Sequence, residues 1–213
     1  MTPTTLCLAR HGETVWNAEG RIQGQYDVPL SEVGIAQAEA LAGALAAERF
    51  DALYSSDLER VRQTAQPVAH RLGLPILLEP GLRERHYGKF QTIGYREARV
   101  LHPEEFARMS ARDPEFDFGG TGESLRAFSE RVETTVRAIV ARHAAGRVLI
   151  LTHGGVLDVA HRLAHGSTLD AKRDYELPNA GINWVEAAGD RWTVRAWGLT
   201  SHLPSVMKTL AAP

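Results

Sequence analysis

Two histidines stand at the ends of apolar runs. His11 follows Thr5 to Ala9 and Arg10, and His153 follows Arg147 to Leu151 and Thr152. Each is succeeded by glycine. A neutral imidazole is a competent nucleophile near pH 7, a guanidinium is a planar fork that fits phosphoryl oxygens, and glycine lets the backbone approach closely. The string Leu8-Ala9-Arg10-His11-Gly12-Glu13-Thr14, with Trp16-Asn17 behind it and Arg21, Gln23 and Gly24 further on, therefore reads as an anion-binding loop. An isolated Arg-His-Gly is more often a loop histidine that ends a strand, and it is the longer string that tips the balance.

The elements around these residues follow from periodicity. The apolar runs before His11 and His153 read as buried strands. Ser31 can cap a helix whose apolar positions Ile35, Ala38, Leu41, Ala42 and Leu45 fall three and four apart, and Asp51 to Ser55 reads as the next strand. Asp57 is a candidate N-cap for a helix with Leu58, Val61, Ala65, Val68 and Leu72 on one face, ended by Gly73 and Pro75. Ile76 to Leu78 adds a short strand. The stretch of about 88–122 is irregular and reads as a cap insertion. From Ser124, a long amphipathic helix carries Leu125, Phe128, Val132, Val136, Ile139 and Val140. Ile182 to Glu186 and Arg191 to Trp197 flank a Gly189-Asp190 turn, which predicts a hairpin at the sheet edge. The expected fold is a three-layer α/β/α sandwich with a mainly parallel sheet, an antiparallel edge strand and a small cap. In such sheets ligands bind beyond the carboxyl ends of the strands, so His11 and His153 should converge across 142 positions of chain.

Five ordered blocks carry a resemblance. Arg10-His11-Gly12-Glu13-Thr14 with Trp16-Asn17, Asp27, Leu30 and Gly34 forms the first, and Ser56-Asp57-Leu58-Glu59-Arg60 with Gln63-Thr64-Ala65 the second. Leu82-Arg83-Glu84 with Tyr87-Gly88, Gly122-Glu123-Ser124-Leu125, and Thr152-His153-Gly154-Gly155 complete the set. Along nearly its whole length the chain resembles the histidine phosphatase superfamily, in the branch containing cofactor-dependent phosphoglycerate mutases and related phosphatases.

The resemblance implies that His11 takes the phosphoryl group, that Arg10, Arg60 and His153 hold its oxygens, and that Glu84 is the proton donor. Elementary chemistry agrees. Positive donors around the equatorial oxygens supply much of the barrier reduction in phosphoryl transfer, and a poor leaving alkoxide must gain a proton as it departs. The bland alternatives are that Arg60 pairs with Asp57 along a helix and that Glu84 sits in a solvated charge run between Arg83 and Arg85. Gly154 opens a helix, where backbone N–H groups favour phosphate. Asn17, Gln23 and Gly24 are further binding candidates, although loop amides often cap their own backbone.

Two departures favour a phosphatase over a mutase. The interval from Glu84 to Gly122 is only 38 positions, where the family's mutases carry a much longer basic insert, and its Arg96, Arg99, Arg108 and Arg112 read as surface arginines. Lys89-Phe90-Gln91-Thr92 also replaces a Trp-Glu-Gly string. Tyr87, Tyr95, Phe106, Met109, Phe116 and Phe118 either line the cap or form its core. The expected activity is metal-independent hydrolysis of phosphomonoesters through phosphohistidine, with bisphosphoglycerate-dependent phosphoglycerate mutase as the alternative. A metal-dependent hydrolase and a non-catalytic phospho-ligand binder rank lower. There is no Gly-x-Ser-x-Gly elbow, Walker loop or His-Glu-x-x-His helix, and no close-spaced metal-ligand pair.

Composition bounds the rest. With 213 residues, 44% hydrophobic and 23% charged, and a net charge of −2, the chain is an ordinary globular protein, expected as a single domain over 1–213. The near-neutral charge argues against nucleic acid, and no apolar run approaches a membrane span. Cys7 has no intramolecular partner, so a reducing cytoplasmic location is the expectation. The expected partner is a small phosphorylated metabolite, with no cofactor, no metal and no membrane, the protein being a monomer or homodimer.

Overall fold

The computed structural model describes residues 2–207. Its sheet contains β1 (Thr4–Arg10), β2 (Ala52–Ser55), β3 (Ile76–Leu78), β4 (Arg147–Thr152), β5 (Ile182–Ala188) and β6 (Arg191–Leu199), in the order β3-β2-β4-β1-β5-β6. The first four pair parallel, β1 on β4, β4 on β2 and β2 on β3. β5 runs against β1, and β6 runs against β5. The reversed strand thus lies one place in from the edge. The Gly189-Asp190 turn, with Gly189 at φ +60, returns the chain as β6 in the direction of β1.

The helices are α1 (Val15–Ala18), α2 (Glu32–Leu45), α3 (Glu59–Leu72), α4 (Tyr95–Leu101), α5 (Pro103–Ser110), α6 (Leu125–Arg142) and α7 (Gly154–His165). Alternate residues of β1 and β4 serve opposite faces, as strand geometry requires. Leu6, Leu8, Val148 and Ile150 pack with Val132 and Val136 of α6 and Leu157 of α7. Cys7, Ala9, Leu149 and Leu151 pack with Leu41 of α2 and Val61 and Val68 of α3. Burial on both faces explains why these strands read as unbroken apolar runs. No described helix is long and apolar enough to cross a membrane.

Ser31 and Ser124 cap α2 and α6, their hydroxyls accepting the N–H groups of Gly34 and Ala127 at 3.1 Å. Two local expectations fail. Ile35 is 55% exposed, because the first turn of α2 docks through Gly34 and Gln37 instead, with Gln37 accepting the Glu13 N–H at 2.7 Å. Asp57 does not cap α3. It accepts a forked pair of hydrogen bonds from Arg83, while Asp27 reaches over to accept the Glu59 N–H at 2.6 Å.

The 88–122 segment supplies α4 and α5 and no strand. Phe90, Ala98, Phe116 and Phe118 form a separate apolar cluster with Ile22, so Phe116 and Phe118 are core.

Candidate active site

β1 and β4 are neighbours in parallel register, with Arg10 opposite Thr152. The chain therefore leaves both strands at the same sheet end, and the rings of His11 and His153 lie 5.3 Å apart, edge to face. Both are buried.

His11 Nδ1 lies 2.7 Å from the carbonyl oxygen of Gly12. A carbonyl only accepts, so the ring proton belongs on Nδ1 and the lone pair on Nε2. Burial, then the charges of Arg60 and Arg10, hold this imidazole well below its usual range, so it is neutral at neutral pH. The loop that carries it is tightly fixed. Gly12 N–H donates to Thr64 Oγ1 at 3.0 Å, and Asn179 Nδ2 donates to the His11 carbonyl at 3.0 Å. A Cβ on Gly12 would meet the Gly34 carbonyl oxygen at 2.4 Å, so backbone packs on backbone here.

Arg10 donates through Nη1 to the Leu177 carbonyl at 2.6 Å. Arg60 donates through Nη1 to the Tyr26 carbonyl and through Nη2 to the Gly24 carbonyl, at 3.0 and 2.7 Å. Burial pushes the Arg60 guanidinium down to about 10, which leaves it charged at neutral pH. His153 Nε2 is 2.8 Å from Ser56 Oγ. With that hydroxyl donating, the His153 proton resides on Nδ1. Burial and then Arg60 hold this ring, too, well below the usual imidazole range.

Among the described residues, Arg10 Nε, Arg60 Nε and His153 Nδ1 are buried and have no hydrogen-bond partner. Buried polar atoms are rarely left so, because each carries a desolvation cost. Here three of them belong to the residues around a neutral histidine. An anion with several acceptor oxygens satisfies all three.

Glu84 is not in a solvated run. Arg83 is held by Asp57, and buried Arg85 donates to the carbonyls of Glu123 and Phe116. The Glu84 carboxylate accepts the N–H of Arg85 at 2.8 Å and that of Gly155 at 3.0 Å, which fixes it at the first turn of α7. Nor does Arg60 pair with Asp57. A Cβ on Gly154 would lie 3.5 Å from Arg10 Nε, which puts the start of α7 against the same cluster.

The remaining candidates hold the loop. Gly24, at φ +54, presents its carbonyl to Arg60, and Gln23 accepts from the Thr14 hydroxyl at 2.9 Å. Asn17 forms a capping box with Thr14 on α1. The chain pattern gave no role to Ser56, Asp27, the Leu177 carbonyl or Asn179. Ser56 at least stands in a recognisable block, whereas the 166–181 loop has no periodicity to betray its contacts.

Arg10, Glu84, Gly154 and Gly155 line a cavity of 930 Å³ with Tyr87, Tyr95, Phe106 and Met109 of the 88–122 segment. Arg96 and Arg99 also line it, contrary to their reading as ordinary surface arginines. Arg112 does so while paired with Asp158, and Arg108 pairs with Asp113. Among the described residues no group of three His, Cys, Asp or Glu side chains is arranged to hold a metal ion.

Comparison with known proteins extends the picture along the chain. The sequence model of the histidine phosphatase superfamily (branch 1) matches residues 6–200. Phosphoglycerate mutase-like protein 4 of Arabidopsis thaliana is 38% identical over 201 residues, 93% of this chain and 86% of that protein. A metal-independent phosphoserine phosphatase of the same plant is 38% identical over 206 residues, 95% of this chain and 84% of that protein. The solved structure of Bacillus stearothermophilus YhfR superposes with a TM-score of 0.84 at 33% identity, covering 93% of this chain and 98% of YhfR. Because the match runs from β1 through β6 and takes in both histidine loops, the chain belongs to the histidine phosphatase superfamily and is an enzyme acting on phosphorylated substrates.

Proposed function

We propose that this enzyme hydrolyses phosphomonoesters of small metabolites without a metal ion, through a phosphohistidine on His11. His11 Nε2 attacks phosphorus, the ester P–O bond breaks, and the departing alkoxide takes the proton of the Glu84 carboxyl group. The Glu84 carboxylate then takes a proton from water, whose oxygen attacks phosphorus. The P–N bond breaks, and phosphate and neutral His11 are regenerated. Arg10, Arg60 and His153 hold the phosphoryl oxygens throughout. The observation that carries this reading is the trio of unpartnered buried nitrogens beside a neutral imidazole whose Nε2 is free of the proton. The likeness to a metal-independent phosphoserine phosphatase supports it. We read residues 1–213 as one domain, with 88–122 as a cap on the site.

One observation favours the mutase reading. Arg96 and Arg99 line the cavity, and a mutase needs cationic contacts to the non-reacting end of its substrate. The shortness of the interval between Glu84 and Gly122 keeps hydrolysis first.

The test is a rapid alkaline quench followed by mass spectrometry. Phosphate should appear on the peptide containing His11, turnover should vanish in His11→Ala, and exhaustive chelation should leave the rate unchanged. Phosphate on another residue, or activity restored only by added metal, overturns the reading.

A further inference from the structure

Seven cationic side chains and three carboxylates line the 930 Å³ cavity of a chain whose net charge is −2. Three of these cations are accounted for. Arg10 belongs to the phosphoryl site, Arg112 pairs with Asp158, and Arg85 is anchored on two carbonyls. Arg96, Arg99, Lys172 and Arg173 remain, and among the described residues none of the four has an ion pair or hydrogen bond to a protein group. Arginines elsewhere are typically tied down, as in Arg83 with Asp57 and Arg131 with Glu123.

Arg173 is the most informative. It is half-buried, and its charge opposes that of Arg10, lowering the Arg10 guanidinium's affinity for its proton. Like charges facing one cavity cost stability until an anion comes between them. Arg96 and Arg99 lie three apart on α4 and so share a side of that helix. Tyr87, Tyr95, Phe106 and Met109 give the same cavity an apolar wall. Its volume is near the upper end of the roughly 300–1,000 Å³ that accommodates drug-sized ligands.

The geometry points to a second anion site formed by Arg173 with Lys172, Arg96 and Arg99, so the substrate is a phosphomonoester whose alcohol portion carries another carboxylate or phosphate on a body larger than three carbons. This rests on the phosphomonoester reading of the His11 site. The second charge engages the free cations while the body lies along the aromatic wall.

The test separates binding from turnover by using phosphonates that cannot be hydrolysed. Titration calorimetry on the whole enzyme at fixed salt compares benzylphosphonate with its 4-carboxy and 4-phosphonomethyl derivatives. The second charge should raise affinity about tenfold or more, the scale of one hydrogen bond to a charged group. Arg173→Gln combined with Arg99→Gln should bring the ratio close to one. Which derivative gains more identifies carboxylate or phosphate as the second anion. Absent binding, equal affinities in the unmodified enzyme, or a ratio that survives both substitutions overturns the site. Tighter binding of O-phosphoserine than of the 4-carboxy compound overturns the size requirement. Turnover of phenyl phosphate is scored separately: an enzyme inert toward it that still shows the affinity ratio loses the hydrolytic reading and keeps the second anion site.

Discussion

Gly155 and Glu84 meet at the first turn of α7. The Gly155 N–H donates to Glu84 Oε2 at 3.0 Å, and a Cβ on Gly155 would fall 2.1 Å from Oε1. Glycine is thus a condition for the position of the carboxyl group. Phe128 closes the other side, its ring 3.0 Å from the same Cβ position, so the added methyl has nowhere else to go.

If Glu84 is the acid, Glu84→Gln should slow alkyl phosphates by about 10²- to 10⁴-fold, the usual worth of general acid catalysis. It should slow p-nitrophenyl phosphate far less, because that phenolate departs without a proton. Gly155→Ala, which displaces the carboxyl without removing it, should show the same dependence on leaving group in milder form. Paired kcat/KM measurements on both substrates check this, and equal losses on the two would remove Glu84 from the proton-transfer step.

The strand ends and their histidines were legible in the sequence because a parallel strand buried on both faces leaves an unbroken apolar run that stops where the loop begins. Arg10, His11 and His153 stand within a residue or two of such stops. What could not be read were partners chosen by tertiary geometry. Asp57 has the sequence signature of a cap, yet a forked Arg83 competes better for its carboxylate, and Asp27 takes over the cap from 32 residues away. The Leu177 carbonyl that holds Arg10 is 167 positions distant in a loop without pattern. Arg96 and Arg99 look like any exposed helix arginines until α4 is seen beside the cavity.

The two buried histidines make a prediction about pH. Their pKa values in the folded protein lie well below the ordinary 6.5, so above that value both states are neutral and nothing is lost. As pH falls below 6.5 the unfolded chain takes up protons that the folded protein does not, and stability declines by at most about 1.4 kcal/mol per pH unit for each histidine. Urea unfolding from pH 7.5 to 5 should show this slope, and His153→Asn should flatten it. In kcat/KM the acid limb owed to His11 should lie well below pH 6.5. An acid limb at 6.5 would show that the Arg60 and Arg10 charges do not govern His11.

Ser56 gains a role that only the structure reveals, since its hydroxyl is the hydrogen-bond partner of His153 Nε2. Ser56→Ala should free that nitrogen to take the ring proton and turn Nδ1 into an acceptor, the wrong polarity for a phosphoryl oxygen. A loss of about tenfold in kcat/KM is expected, in line with a single neutral hydrogen bond, and vanadate should bind correspondingly more weakly. Unchanged vanadate affinity would mean that His153 does not donate through Nδ1.

The last prediction concerns what accepts the phosphoryl group from His11. A mutase must hold a bisphosphorylated intermediate while it reorients, and must exclude water from phosphohistidine. Here the segment between Glu84 and Gly122 forms only α4 and α5, and of its arginines Arg108 and Arg112 are committed to Asp113 and Asp158. That leaves Arg96 and Arg99 from the segment, joined by Lys172 and Arg173, around a cavity with ample room for solvent. A second charge can therefore be bound without water being kept out, which favours hydrolysis of an acidic substrate over isomerisation. Incubation with 3-phosphoglycerate and a bisphosphoglycerate primer, following inorganic phosphate and 2-phosphoglycerate together, separates the outcomes. Phosphate release without isomer formation is expected. Primer-dependent interconversion faster than hydrolysis would make the cavity cations a mutase grip, with the second charge bound to retain the intermediate until it turns.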